Sequence, residues 1–299
     1  MSDASKKARR DQARENAREM REKERKRKKR NGWIIKGSVV LVLVAAAVAI
    51  VLVVTSLNNA AIEAAKPKPG PANMISDGII LTADAAGAGE IVAVPTAAIP
   101  ADGEPTATDP ADYPDQQVHI VTYIDYFCPF CKAFEEANAQ QLGTWVSAGA
   151  ATLEIHPIAI LDKSSMGTRY ATRSANAMAC VANFQPDLFF QATTAMYAEQ
   201  PAESTEGLDN DQILGVLTSA GVTAPEIANC VDKETFSQWV TKATLRTGSP
   251  IPNSTLPSVG GTPTVLVNGY QYTGAVDDAT AFATFVTAVA TGTYEPPAG

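Results

Sequence analysis

The apolar positions along the chain fall into one uninterrupted run and, much later, a set of short periodic stretches. Ser38 to Leu57 is a run of 20 residues without a charge, mostly Val, Leu, Ile and Ala. As a helix rising about 1.5 Å per residue it would be roughly 30 Å long, the thickness of a bilayer's hydrocarbon core. Trp33 and Lys36 stand at its edge as interface anchors. The run therefore predicts a single transmembrane helix over residues 37–57. A cleaved signal peptide is the rival, but its positive region is normally short and no clean Ala-x-Ala site follows Leu57 directly.

Residues 58–116 are rich in Ala, Pro and Gly and predict a linker, with Gly78–Thr82 as a possible short leading strand. Val118–Ile124 is β-rich and apolar on both faces, as a central buried strand requires. From Lys132 to Trp145, Phe134, Ala137, Leu142 and Trp145 share one side of a helix. Thr152–His156 is the next strand. A helical block follows over about 164–249, divided by Pro186, Pro201 and Pro225. Thr264–Val267 then turns at Asn268-Gly269, a strong hairpin signal, into Tyr270–Thr273. Asp277–Thr291 closes the chain as a helix with Asp277 or Asp278 as its N-cap. The order β-α-β, helical block, β-β-α predicts an α/β domain over 117–299.

Charge divides the same way. Residues 1–36 carry 15 basic and 6 acidic side chains, and the rest carries 9 basic and 26 acidic ones. The acidic body argues against nucleic acid as a partner, which needs clustered cations to release counterions. The basic head, 1–36, has no aromatic residue before Trp33 on which a base would stack. It is expected to be a solvated, partly helical topology signal with pairs such as Glu22 and Lys26, held in the cytoplasm while the rest is exported.

The candidate chemistry lies at Phe127-Cys128-Pro129-Phe130-Cys131, between a predicted strand and a predicted helix. With Cys128 as N-cap, Pro129 occupies the first helical position, where its missing N–H costs nothing. Cys131 then lies at i+3, on the same face and within reach of a disulfide. The free N–H groups at the helix start favour a thiolate at Cys128, which becomes the nucleophile, and Cys131 resolves the mixed disulfide. A zinc half-site is the competing reading. Cys180 and Cys230 form no second Cys-x-x-Cys, and His119 and His156 fall on predicted strands, so no metal is expected.

From Val118 onward the chain resembles the DsbA-like thiol–disulfide oxidoreductases of the thioredoxin superfamily, of the membrane-anchored bacterial type. Two motifs carry the resemblance: Asp125-Tyr126-Phe127-Cys128-Pro129-Phe130-Cys131, and Gly260-Gly261-Thr262-Pro263 running into Thr264–Gly269. The resemblance implies a thioredoxin fold with a helical insertion. It also implies that Thr262–Pro263 is cis and faces the cysteine pair, leaving the Thr262 backbone free to pair with an extended substrate. Two departures stand out. Phe130 occupies the place of a histidine in the best-known oxidase of the family. Thr122 holds the position, six residues before the nucleophile, where the family often has a buried acid. Asp125 is the nearer candidate for proton exchange with Cys131, and it serves equally well as a strand-end cap.

The implied function is extracytoplasmic thiol–disulfide exchange, introducing disulfides into exported proteins through the Cys-Pro-Phe-Cys site. No cofactor is expected, since the cysteine pair is itself the redox centre. The implied partners are exported protein thiols and a quinone-linked membrane protein that reoxidises the pair. The expected localisation is the cytoplasmic membrane, single-pass, with the N-terminus inside. A reductase or isomerase for one client is the alternative direction, and an anchored metal carrier is the non-enzymatic one. With Cys128 and Cys131 as the active pair, Cys180 and Cys230 are expected to form a structural disulfide.

Overall fold

A computed structural model describes residues 11–30, 49–56, 66–85, 89–113 and 118–296. The chain divides into two units, Met1–Lys66 and Pro67–Gly299. In the first, residues 11–30 form a helix exposed along its whole length. Such a largely charged helix relies on pairs one turn apart, here Glu19 with Lys23 at 3.7 Å and Glu22 with Lys26 at 3.5 Å.

The expected transmembrane helix is not borne out. Among the described residues no helix is long and apolar enough to cross a membrane. Within 37–57 the described residues are 49–56, and they are helical. Residues 37–48 and 57 lie outside the described residues. The single-pass localisation at the cytoplasmic membrane rested on that helix and is corrected with it.

The second unit is built on a six-stranded sheet in the order β2-β1-β4-β3-β5-β6. Its strands are β1 (Ile79–Ala83), β2 (Ile91–Ala93), β3 (Val118–Ile124), β4 (Ala151–Pro157), β5 (Thr264–Val267) and β6 (Tyr270–Gln271). Only β3 and β4 run parallel; every other neighbouring pair is antiparallel. The parallel pair needs a crossover, and helix α1 (Pro129–Ser147) supplies it. At the β5–β6 hairpin, Asn268 and Gly269 have φ of 47° and 84°, the left-handed pair a type I′ turn demands.

Between β4 and β5 lie α2 (Tyr170–Phe184), α3 (Phe189–Ala198), α4 (Asn210–Ser219), α5 (Glu226–Asp232) and α6 (Ser237–Arg246). Pro186 and Pro201 flank α3, and Pro225 stands at the N-cap of α5. Alanines and other small residues let α2 be buried on nearly all sides, from Tyr170 to Ala182. Helix α7 (Ala279–Ala290) is capped by Asp278, whose carboxylate accepts from the Ala281 N–H at 2.9 Å.

Alternate residues of the central strands separate two cores. On one face Ile120, Leu153 and Val265 join Phe134 of α1 and Phe282 of α7, whose rings meet edge to face at 5.2 Å. On the other, Tyr123 and Leu266 pack with Ile158 and Ile251.

Part of the expected linker belongs to this unit instead. Its composition hides a few well-placed apolar groups: Met74, Ile79, Leu81 and Ile99 are buried in the main core. Asp77 ties the segment to α6. Its Oδ1 accepts from Trp239 Nε1 at 3.0 Å and Arg246 Nη2 at 2.6 Å, and its Oδ2 from Arg246 Nε at 2.5 Å. Backbone hydrogen bonds and buried side chains, which hydropathy patterning does not see, turn an irregular stretch into part of the fold.

Candidate active site

The turn from β3 into α1 is held by its own residues. Asp125 is fully buried, and its two carboxylate oxygens accept the N–H groups of Phe127 at 2.9 Å and Leu161 at 3.0 Å. One carboxylate thus caps the end of β3 and secures the loop that leaves β4. The Cys128 N–H donates to the Asp125 carbonyl at 3.0 Å, completing the turn. Cys128 is the N-cap of α1, with extended backbone, and Pro129 is the first helical residue. The Cys128 carbonyl accepts from the N–H groups of Cys131 and Lys132 at 3.1 and 3.2 Å.

This start of the helix places the two thiols differently. Cys131 lies one turn inside at 1% exposure, while Cys128 is 4% exposed beside a Phe130 that is 66% exposed. Both are free thiols. Cys128 is lowered to about 6, chiefly by the Cys131 thiol that donates to it. Burial opposes the shift, and the Thr262 side chain and the N–H groups of Cys131 and Phe130 reinforce it. Cys131 is pushed well up, first by burial and then by its hydrogen bond to Cys128 and that neighbour's charge. Asp125 is raised to about 7, mainly because burial penalises its charge more than its two N–H partners favour it.

The second motif arrives from the far side of the helical block. The Thr262–Pro263 peptide is cis, and the Thr262 carbonyl lies 3.2 Å from Cys128 Sγ. The structure thus brings Cys128, Pro129, Phe130, Cys131, Asp125, Thr262 and Pro263 into one site. Cys180 and Cys230 lie elsewhere, joined as a disulfide between α2 and α5 with Cα atoms 6.0 Å apart. Both are buried. Among the described residues no group of three or more His, Cys, Asp or Glu could hold a metal ion. His119 and His156 sit on β3 and β4, on either side of Glu154.

Three residues around the pair escape sequence reasoning. From the end of α3, the Tyr197 hydroxyl donates to the Asp125 carbonyl at 3.3 Å. The Gln200 amide donates to the Tyr126 and Cys128 carbonyls, both at 3.0 Å. The insertion thus grips the active-site turn by its backbone, which no side-chain motif in the sequence announces. The third is Glu135 of α1, buried and raised to about 7 by burial, against the Thr194 hydroxyl that donates to it at 2.7 Å. Its spacing of i+4 from Cys131 is a signal the sequence did carry.

Comparison with known proteins agrees with this architecture. The family model described as thioredoxin matches residues 113–287. Oxidised BdbD from Bacillus subtilis superposes with a TM-score of 0.52 at 18% identity, over 76% of this chain and 100% of that one. The reduced disulfide bond oxidoreductase DsbG from Mycobacterium tuberculosis gives 0.49 at 24% identity, over 59% and 83%. Reduced DsbA from the same organism gives 0.49 at 22%, over 71% and 99%. No curated protein matches the sequence. The BdbD likeness extends to the whole of that structure and concerns the fold. The family model spans more than half of the 299 residues and takes in both halves of the site, and on that ground the chain belongs to the thioredoxin family.

Proposed function

We propose that the protein is a dithiol–disulfide oxidoreductase that exchanges its Cys128–Cys131 pair with cysteine pairs of other proteins. The inequality of two thiols one helical turn apart carries this reading. Cys128, lowered to about 6, is a thiolate near neutral pH; Cys131 is held as a thiol. In the oxidised enzyme a substrate thiolate attacks Cys128 Sγ, the Cys128–Cys131 bond breaks, and Cys131 leaves with the electron pair and takes a proton. A second substrate thiolate then attacks the substrate sulfur of the mixed disulfide and releases Cys128 as a stable thiolate. Two electrons pass to the enzyme and the substrate gains a disulfide.

The net direction we propose is oxidation, because a stabilised thiolate makes the disulfide form the stronger oxidant. Phe130 offers no cation to strengthen this further, so the potential falls between those of thioredoxin and DsbA, about −270 and about −120 mV. The compartment is an oxidising one outside the cytoplasm, a reading supported by the Cys180–Cys230 bond. A redox partner must then reoxidise the reduced pair.

Equilibration with glutathione followed by refolding of a reduced, unfolded disulfide protein tests the proposal. The expected result is a potential in that interval and oxidative refolding that depends on Cys128. A potential at or below thioredoxin's, with insulin reduction and no oxidative folding, replaces the oxidase by a reductase. The absence of any exchange defeats the reading as a whole.

A further inference from the structure

On the sheet face that carries Val121, Tyr123 and Leu266, a cavity of about 290 Å³ opens beside residues 107–113 and 252–253. It reaches His119, at the start of β3, and Asn268, just past the end of β5, both at the opposite end of these strands from Cys128. None of its lining residues belongs to the thiol site.

Glu154 is its polar centre, 3% exposed. Oε1 accepts from Ser76 Oγ at 2.5 Å, Thr108 Oγ1 at 3.0 Å and His156 Nε2 at 3.0 Å. Oε2 accepts from His119 Nε2 at 3.1 Å. Both imidazoles therefore direct an N–H at the carboxylate. In the neutral His119 ring the remaining Nδ1 accepts the Thr152 hydroxyl at 2.5 Å. With neutral imidazoles every donor is matched and the trio keeps one negative charge. Nothing in it offers a metal two free nitrogen lone pairs.

Aromatic rings enclose the trio. Tyr113 lies parallel to His119 within 5° at 6.4 Å between centroids, and Tyr123 stacks on His156 at 4.4 Å. On the same imidazole Gly78 approaches so closely that a Cβ there would stand 2.7 Å from the ring. Among the described residues no Lys or Arg lines the cavity. The hydroxyls of Tyr113 and Tyr123 are raised by burial and then by the Glu154 charge, which marks the field inside as negative. A buried carboxylate with spare accepting capacity on Oε2, in a cavity lined by two tyrosines, is suited to a cation that is also flat and apolar.

We propose that this cavity is a second binding site, for a small organic cation of the amidinium or aromatic ammonium class, seated between the tyrosine rings with its charge toward Glu154. The site is independent of thiol exchange. Benzamidine is the probe and benzamide its uncharged isostere, titrated calorimetrically into the full chain at pH 8. Saturable benzamidine binding is expected, with benzamide weaker by about tenfold or more. Ala107→Trp, at the exposed rim, should fill the mouth and weaken benzamidine by about tenfold at an unchanged melting temperature and exchange rate. Glu154→Gln should bring benzamidine down to the benzamide level. Equal affinity for the two probes, no saturation, or binding that ignores Ala107→Trp overturns the site. These arms decide the matter even if Glu154→Gln fails to fold. Thiol exchange, measured on the same samples, is judged separately.

Discussion

At the residue level the central fact is a division of labour between two thiols and two buried acids. Alkylation of the reduced protein should follow a single titration with its midpoint at about pH 6, all of it at Cys128. Cys131 should stay unmodified to well above pH 9. Mass mapping after a short pulse reads both, and faster labelling of Cys131 would reverse the roles. Cys131→Ser should trap mixed disulfides with substrates, and Cys128→Ser should abolish exchange. The lowered value also couples redox state to stability. A depressed thiol pKa stabilises the reduced fold above its folded value and loses that effect as pH falls through it. Melting curves should therefore show the stability of the reduced form falling relative to the oxidised one as pH drops from 8 through about 6. Glu135 acts in the other sense. Its carboxyl is raised to about 7, so the fold is weakened as pH rises from the ordinary carboxylate value through 7. Glu135→Gln retains an acceptor for Thr194 and removes the buried charge. It should stabilise the protein at pH 8 by up to about 3 kcal/mol and by little at pH 4, as thermal melts at the two values would reveal.

Among the elements, α3 has a task beyond filling the insertion. Tyr197 and, two residues past the helix end, Gln200 hold the carbonyls of Asp125, Tyr126 and Cys128 in the active-site turn, and the Tyr126 hydroxyl meets Thr193 at 3.1 Å. Gln200→Glu replaces the donating amide by a carboxylate facing those carbonyls. The Cys128 alkylation midpoint should rise by about one unit, whereas Gln200→Ala should move it less, since water can take over the carbonyls. A midpoint unchanged in both variants would reduce the contact to packing. The disulfide between α2 and α5 spans 50 positions in sequence. Replacing both Cys180 and Cys230 by Ala should cost about 4 kcal/mol on a chain-entropy basis, with the thiol titration of Cys128 unaltered. Denaturant unfolding of the two forms checks it. The boundaries of β3, β4, β5 and α7 were legible because each is a local pattern: alternation or continuity of apolar residues, an Asn-Gly turn, an Asp cap. The grip of α3 was not, because it joins side chains to backbone groups about 70 residues away.

For the molecule as a whole, the segment from Pro67 to Tyr113 decides where the domain begins. It supplies two strands, buried Met74 and Ile99, and the Asp77 bonds to α6. A chain starting at 118 should leave the outer edge of β4 unpaired and the core open. It is expected to be poorly soluble, while one starting at 67 melts cooperatively. Expression of both and a thermal melt by circular dichroism make the comparison. Equal stability would return the segment to the status of a linker.

The sequence alone determined the α/β order and the Cys-Pro-Phe-Cys helix start, since each is written in contiguous residues, while the role of the loop that holds Pro263 followed from the family resemblance. It determined the identity of the two thiols for the same reason: a helix N-terminus favours the thiolate that caps it over the one a turn inside. Tertiary structure alone decided what surrounds them. Burial raises Asp125 and Glu135, the end of α3 grips the turn, and a Pro- and Gly-rich stretch in which only the strand at 78–82 was expected gains a second strand, β2, and joins the core. It also decided that Glu154 lies between two histidines from neighbouring strands, because parallel pairing in register, not proximity in the chain, brings His119 beside Thr152 and Tyr123 beside His156.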